Sequence, residues 1–226
     1  LLKEFPGVDV TGVSVNQIRP IIRGFRGQRI LLLMDGIRIN NSRRQQDFGE
    51  ILGMVDVNEV ERVEVVRGPA SVLYGSDAIG GVLNILTQIP DYDRKGKSVH
   101  GNIRLRHSTI DSQNKGSINM NGQIGQLVFS INGNMRKARD YHAPAGSFGN
   151  IVLNDPVTVN DTGVTDHGFN ILLNYTISNS RKASIKYAHY YAQNTGFGFV
   201  DPLLFNPQSP RIQIIYPFQK MQTYTL

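Results

Sequence analysis

The sequence of 226 residues contains no cysteine. That absence excludes a disulfide framework and thiolate metal sites, and it leaves the cellular compartment open. Long apolar runs are also missing, since the best one, residues 30–34, falls far short of the ~18 residues that a membrane-spanning helix needs. Any membrane crossing would therefore have to be made by strands.

Clusters of charge and signs of catalysis are equally scarce. The net charge is +6, but the basic residues are scattered along the chain with only four adjacent pairs, so we predict no nucleic-acid partner. No nucleophile elbow, phosphate loop, zinc-ligand spacing or paired carboxylates stand out, so we predict no enzyme, no metal site and no cofactor. The first ten residues, "LLKEFPGVDV", have neither a basic leader nor an apolar segment, so we expect no signal peptide here.

The first ninety residues have the mixed pattern of a small α+β unit. Residues 29–34 read as a buried strand, and Asp35-Gly36 is a two-residue hairpin signal that leads into a return strand at 37–39. Residues 61–66 and 82–86 read as two further strands. Between them, Gly68-Pro69 predicts a short helix with proline at its first position, ended by a left-handed Gly75.

Beyond a polar segment at residues 91–98 the pattern alternates with a period of two. Apolar and polar residues alternate from 99 to 106. The same alternation predicts strands near 117–124, 127–136, 169–177 and 184–191, and the start of a sixth strand at the end of the chain. Alternation alone fits a soluble sheet as well as a membrane barrel. The connections discriminate, because tight turns at 125–126 and 178–181 alternate with long loops at 139–166 and 194–218. We therefore predict strands of a transmembrane barrel over 99–226, with their apolar side chains facing lipid.

Three stretches carry a family resemblance: "IIRGFRG" from residue 21, "ILLLMDGIRIN" from residue 30 and "VERVEVVRGPASVLYGSDAIGGVLNI" from residue 60. Together they resemble the plug domain of TonB-dependent outer-membrane receptors, in the branch of siderophore, haem, cobalamin and colicin receptors. The resemblance implies an α+β plug domain at residues 1–90, a linker at 91–98, and the first five to six strands of an antiparallel transmembrane β-barrel of 22 strands. An incomplete barrel would leave open edges, so we expect a fragment of a longer protein.

The resemblance also implies a function and partners. It predicts energy-coupled uptake of a ferric siderophore or similar small-molecule metal chelate through the Gram-negative outer membrane, with outer-membrane lipid and lipopolysaccharide around the barrel. A TonB-type inner-membrane complex would supply the energy, although we expect its contact segment to be absent from this chain. Arginines of the family's "RGF" and "RGP" motifs pair with barrel glutamates, and Arg23 and Arg67 match them. The structural motif of the plug falls on Asp35, Gly36, Gly68, Pro69, Tyr74, Gly75, Gly80 and Gly81.

The loop after the "DG" hairpin is the predicted ligand-facing segment. Its guanidinium groups suit carboxylate or catecholate oxygens of an anionic ferric chelate, and we assign it to Arg43, Arg44, Gln45, Gln46 and Asp47. Haem and cobalamin uptake are the alternatives. The plug loop has no histidine for haem, which leaves His142 as a candidate axial ligand, and "YGSDAIGGVLNI" also resembles cobalamin receptors. A soluble β-rich adhesin or carbohydrate-binding module is the alternative from another class.

Overall fold

The computed structural model describes residues 2–12, 16–39, 50–88, 90, 97–149, 151–178, 180–198 and 213–226. The chain separates into two compact units, Leu1–Ile89 and Pro90–Leu226. Among the described residues, no helix is both long enough and apolar enough to cross a membrane.

Within its described residues, the first unit contains two small sheets and two single-turn α-helices. An antiparallel sheet consists of β1 (Val8–Thr11), β2 (Arg19–Ile22) and β3 (Phe25–Arg26). A second sheet has the spatial order β5-β4-β7-β6. Its strands are β4 (Ile30–Met34), β5 (Ile37–Arg38), β6 (Val60–Arg67) and β7 (Gly81–Thr87), and the helices are α1 (Glu50–Gly53) and α2 (Ser71–Tyr74).

The core of the first unit forms on both faces of the central pair β4 and β7. These two strands are parallel, whereas the flanking strands pair antiparallel to them. Strands buried on both faces need apolar residues at successive positions, which explains the unbroken run at 30–33. One face packs Ile30, Leu32 and Leu83 with Ile22 and other apolar residues. The opposite face forms a second cluster from Leu31, Leu33, Ala70, Ala78 and Val82.

The short helix of the first unit begins later than the sequence predicts. It covers Ser71–Tyr74, with Ala70 at the N-cap position, so Pro69 lies before the helix and not at its first helical position. The predicted end at Gly75 agrees with the structure, because Gly75 has φ 92° and its backbone N–H donates to the Ser71 carbonyl at 2.9 Å. The glycine is needed there since other residues rarely adopt that positive φ.

The second unit is dominated by one antiparallel sheet of six long strands. Three of them come first: β8 (Lys97–Ser108), β9 (Gln113–Ile124) and β10 (Leu127–Ala138). The long connection that follows holds β11 (His142–Ala143), β12 (Gly146–Phe148), β13 (Ile151–Leu153) and β14 (Val157–Thr158). The sheet is completed by β15 (Val164–Ser178), β16 (Arg181–Gly196) and β17 (Ile215–Thr225).

The strands of this sheet follow one another in space, in the order β17-β16-β15-β10-β9-β8. Strand β8 begins at Lys97, inside the predicted linker, and the other strands extend the predicted ones at their polar ends. The long connection also differs from the predicted irregular loop. Strand β11 pairs with β14, and β12 with β13, so the connection folds into two nested hairpin pairs.

The two faces of the six-stranded sheet are inverted relative to a water-soluble protein. Apolar side chains on one face are exposed, including Leu105 at 85% and Ile103 at 72% of their surface. On the other face, polar side chains of the central strands are buried, with Ser130 at 1% and Asn170 at 6% exposure. Outward apolar and inward polar residues are the pattern of a membrane barrel wall. The outward face is therefore the one that the sequence assigns to lipid.

Candidate functional site

The predicted ligand loop is placed in the fold only by its neighbours. Arg43, Arg44, Gln45, Gln46 and Asp47 lie outside the described residues. The described chain before them ends with β5 and Ile39, and the described chain after them resumes at α1. The described part of the site therefore consists of the residues that anchor this loop.

The Asp35-Gly36 turn does more than reverse the chain. Both residues have positive φ, 51° and 79°, which matches a tight hairpin turn of type I′. The Asp35 carboxylate also accepts hydrogen bonds from the Thr87 backbone N–H at 2.8 Å and from the Thr87 hydroxyl at 3.0 Å. The Gly36 N–H donates to Asn84 Oδ1 at 3.1 Å. The hairpin that leads into the loop is thereby tied to β7.

Arg38 forms a second anchor at the start of the loop. Its Nη1 lies 2.7 Å from Asp77 Oδ2, and its Nη2 donates to the Tyr74 carbonyl at 3.0 Å. A Cβ added to Gly75 would approach the same guanidinium at 3.2 Å, so the glycine leaves room for it. Tyr74, Gly75 and Asp77 belong to the "YGSD" turn of the plug motif. The base of the ligand loop and this turn therefore form one connected unit, which we call the Arg38 latch.

Gly80 and Gly81 are required by close packing. A Cβ on Gly80 would lie 2.4 Å from Phe25 Cβ and 3.0 Å from the Arg29 carbonyl oxygen. A Cβ on Gly81 would lie 2.5 Å from the Val66 carbonyl oxygen, and the φ of Gly81 is 151°. Heavy atoms cannot approach so closely without displacing backbone, so both positions exclude larger residues.

The structure brings Arg23 and Arg67 around the same chain segment. Arg67 donates from Nη1 to the Pro6 carbonyl at 2.8 Å, and the Arg23 backbone N–H donates to the Gly7 carbonyl at 3.0 Å. The Arg23 guanidinium also lies 3.5 Å from the position that a Cβ on Gly68 would take. Both side chains are exposed within the first unit. They therefore share one exposed basic surface, and barrel glutamates as their partners remain a proposal.

The inward face of the six-stranded sheet contains a ladder of amide side chains. Asn119, Asn132 and Asn170 are direct cross-strand neighbours on β9, β10 and β15. Asn119 and Asn132 are hydrogen-bonded through their side chains, and Asn132 Nδ2 also donates to Asn170 Oδ1 at 2.7 Å and to Ser130 Oγ at 3.1 Å. Buried amides cost free energy unless they are paired in this way. Because the amides bond to one another, the polar inward surface can be buried without leaving these groups unpaired.

Arg136, Asp166 and Tyr190 form a buried ionic triad beside this ladder. Arg136 and Asp166 are cross-strand neighbours and make a salt bridge, and their side chains are 14% and 3% exposed. The Tyr190 hydroxyl donates to Asp166 Oδ2 at 2.9 Å. The carboxylate is thus shared by two donors, which satisfies a charge that would be costly to bury alone.

His142, the candidate axial ligand, has a local partner in the structure. His142 Nδ1 lies 3.0 Å from Thr158 Oγ1 across the β11–β14 pair. Across the described ranges, no group of three or more His, Asp or Glu side chains is arranged to hold a metal ion. Beside them, burial raises the pKa of the Tyr141 phenol.

Several anchoring residues escape sequence reasoning. Arg38 and Asp77 are 39 positions apart, and Asp35 and Thr87 are 52 apart. Asp35 stands out in the sequence as part of the hairpin signal, but Arg38, Asp77 and Thr87 are ordinary charged or hydroxyl residues there, and the parallel pairing of β4 with β7 brings them to their partners. The available signal is their position beside the "DG" and "YGSD" turns.

Comparison with known proteins identifies the first unit. Residues 1–82 match the family model of the TonB-dependent receptor plug domain. A vitamin B12 transporter of Vibrio vulnificus is 43% identical over 89 residues, which are 38% of this chain and 14% of that protein. A ferric enterobactin receptor of Pseudomonas aeruginosa is 32% identical over 155 residues, which are 61% of this chain and 20% of that protein.

Solved structures extend the likeness to the fold of both units. A crystal structure of a ferric enterobactin receptor variant from Pseudomonas aeruginosa, in complex with enterobactin, has a TM-score of 0.60 with 24% identity. The match covers 83% of this chain and 29% of that receptor. The predicted fold class is confirmed, namely an α+β plug followed by antiparallel barrel strands. These relatives are receptors and transporters, which also supports the prediction that the chain is not an enzyme.

Proposed function

With a TonB-dependent receptor plug followed by barrel strands, this chain belongs to the TonB-dependent outer-membrane receptors, and we propose that the complete protein imports a ferric siderophore or similar iron chelate. The chain spans 14–21% of the length of the curated relatives, so activity, cargo and partners are inferred for the whole protein. Import would draw energy from a TonB-type inner-membrane complex.

A basic loop that starts from an anchored turn favours this cargo. The Asp35 turn and the Arg38 latch fix the chain immediately before residues 40–49 on β7 and the "YGSD" turn. That loop carries Arg43 and Arg44 with Gln45, Gln46 and Asp47. A guanidinium pair on a fixed base suits a compact anion with carboxylate or catecholate oxygens, because less conformational entropy is lost on binding.

Direct binding to the full-length receptor tests the role of the loop. With ferric enterobactin as the probe, we expect the double variant Arg43→Ala/Arg44→Ala to bind at least about tenfold more weakly, since two charge-assisted contacts are lost. Fluorescence quenching or calorimetry measures the change. Equal affinity of the variant and the parent receptor would contradict the assignment of the cargo to this loop.

Arg62 supplies a matched control. It is an exposed arginine of the same unit, lying 3.1 Å from Glu64 Oε1 and 3.0 Å from Glu61 Oε1. The hydrogen bond and charge of Glu64, together with Glu61, raise the pKa of Arg62. Removing this charge by Arg62→Ala should change chelate affinity by less than about twofold, because a locally paired surface arginine contributes little at a distance.

Cobalamin is the second candidate cargo. It is favoured by the 43% identity of the plug region to a vitamin B12 transporter. Cyanocobalamin is the probe in a parallel titration, and tight cyanocobalamin binding without ferric chelate binding would select this candidate.

Haem is tested by haemin together with His142→Ala, and unchanged haemin binding in that variant would exclude the proposed axial role of His142.

The exposed surface of Arg23 and Arg67 fits the proposed lock between plug and barrel. The Arg67 guanidinium donates to the Pro6 carbonyl and the Arg23 backbone N–H donates to the Gly7 carbonyl, and both arginine side chains remain exposed. Barrel carboxylates would be suitable partners. Loss of the lock in Arg23→Ala/Arg67→Ala should raise the protease sensitivity of the plug in the full-length receptor without abolishing insertion of the barrel.

A further inference from the structure

The outward face of the six-stranded sheet changes character along its strands. The cross-strand register arranges outward side chains in rows that cross all six strands. The row nearest the long connections is mostly polar and consists of His107, Asn114, Lys137, Thr165, Gln193 and Phe218. Three rows further on, every residue is apolar, tyrosine or glycine: Gly101, Met120, Ile131, Ile171, Tyr187 and Tyr224.

The two rows between them are apolar on strands β8, β9 and β10 and mostly polar on strands β15, β16 and β17. On β8, β9 and β10 they contain Leu105, Gly116, Met135, Ile103, Ile118 and Gly133. On β15, β16 and β17 they contain His167, Tyr191, Lys220, His189 and Gln222, together with one apolar residue, Phe169. From the β8 edge to the β17 edge, the boundary between polar and apolar side chains thus moves two rows away from the long connections.

This oblique boundary is what a horizontal membrane surface produces on tilted strands. Two rows are four residues, or about 13 Å along a strand, and five strand spacings are about 24 Å, which gives a slope of about 30°. Strands of membrane barrels tilt by roughly 35–45°. The boundary therefore follows one plane parallel to the membrane, and the long connections place it on the outer leaflet.

A basic and aromatic cluster lies on this plane. The ring centroids of His167 and Tyr191 are 5.4 Å apart, and those of His167 and His189 are 6.1 Å apart. Lys220 is exposed and pairs in register with Tyr191. Within the described residues His189 Nδ1 is buried and makes no hydrogen bond, so only the Nε2 edge of this ring can meet a ligand. The outward positions of the six described strands carry no aspartate or glutamate, so no carboxylate on this face competes for the cluster.

We propose that His167, His189, Tyr191 and Lys220 bind the phosphate of a phosphorylated outer-leaflet glycolipid. The Lys220 ammonium supplies the charge, and the imidazole and phenol groups supply hydrogen-bond donors. Gln193 donates to the Tyr191 hydroxyl oxygen at 3.4 Å, which leaves the Tyr191 proton directed elsewhere. The fully apolar row that contains Ile171 and Tyr187 lies next to the cluster, on the side away from the long connections. Its side chains suit the acyl chains of such a lipid. This site is independent of the cargo.

Lipid retention by the full-length receptor tests the site. Purified receptor is loaded with diphosphorylated lipid A and examined by native mass spectrometry. We expect Lys220→Gln to lower lipid A affinity about fivefold and the triple variant His167→Asn/His189→Asn/Lys220→Gln by more than tenfold, because a basic residue beside an anionic headgroup contributes roughly this factor. Dephosphorylated lipid A should bind the parent receptor as weakly as diphosphorylated lipid A binds the triple variant.

Lys97 provides the matched control, because it is an exposed outward residue at the opposite end of β8. Lys97→Gln removes the same charge and should leave outer-leaflet lipid binding unchanged. Equal loss in Lys97→Gln and Lys220→Gln, equal binding of dephosphorylated lipid A, or displacement of lipid A by millimolar inorganic phosphate would each overturn the proposal. Heat-modifiable gel migration verifies that every variant is folded, and unchanged chelate binding by Lys220→Gln separates this test from that of the proposed function.

Discussion

The two units of this chain obey opposite rules of burial. In the plug, Ile22 and Leu83 are fully buried, with 0% exposure. In the six-stranded sheet, Leu105 is 85% exposed while Asp166 is only 4% exposed. Water drives apolar groups inward in the first case, and lipid removes that driving force in the second. The comparison shows that the surrounding solvent decides which face of a strand is apolar.

The two units also solve the problem of polar burial differently. The plug places its polar anchors at the ends of strands, as with Asp35 on Thr87, where the surroundings are only partly buried. The barrel wall places them along the middle of its strands, where Asn132 bonds with neighbours on both sides. Each unit should therefore respond to a different kind of substitution.

The largest effect is expected in the plug at Gly80. Gly80→Val would place Cβ 2.4 Å from Phe25 Cβ, so backbone must move, and we expect a loss of about 3–5 kcal/mol in plug stability. Hydrogen exchange of the β4 and β7 amides in the full-length receptor measures this change. Gly133→Ala in the barrel wall is the control, since its nearest neighbour would lie at an ordinary 3.4 Å. Similar exchange in both variants would refute the packing argument.

The ionic triad of the barrel wall should give the next largest effect. Asp166→Ala leaves the Arg136 guanidinium buried without its carboxylate, which we expect to cost about 3 kcal/mol in barrel stability. Tyr190→Phe removes one hydrogen bond to the same carboxylate and should cost about 1 kcal/mol. Urea unfolding from vesicles, followed by circular dichroism, ranks the two variants. A reversed ranking would show that the triad is not organised around Asp166.

The smallest of the three effects is expected when a charge is added to the outward or the inward face of the β8–β9 pair. Met120→Lys introduces a charge in the outward apolar row and should destabilise the barrel by about 2 kcal/mol. Asn102→Lys introduces the same charge at an inward, exposed position of β8 and should change stability by less than about 0.5 kcal/mol. If both variants insert and unfold alike in vesicles, the outward face is not in contact with lipid.

Periodicity made most of the fold predictable. The alternation that starts at Val99 locates the strands, and the Asp35-Gly36 and Gly125-Gln126 turns locate two reversals. Strand ends were less predictable, because the polar residues that extend β9 and β15 beyond the membrane carry no apolar period. The nested hairpins at 142–158 were missed since strands of two or three residues contain too few alternations to detect.

The anchors of the candidate site were predictable only in part. Glycines such as Gly75 and Gly80 stand out in the sequence, because few residues can occupy tight turns. The partners of Arg38 and Asp35 do not stand out, because their contacts depend on the pairing of strands far apart in the chain. Sequence therefore indicates where the backbone is constrained, whereas the tertiary fold determines which side chains hold it.

The register of β1 and β2 has a mechanical consequence for the proposed energy-coupled uptake. Val8 pairs with Ile22 and Thr11 with Arg19, so both ends of this pair leave it on the same side. Tension on the amino-terminal end would load the backbone hydrogen bonds one after another, as when a zipper opens, and not all at once. Such a pair opens at low force, so a pull of the proposed kind would separate β1 from β2 before it disturbed the buried β4–β7 pair.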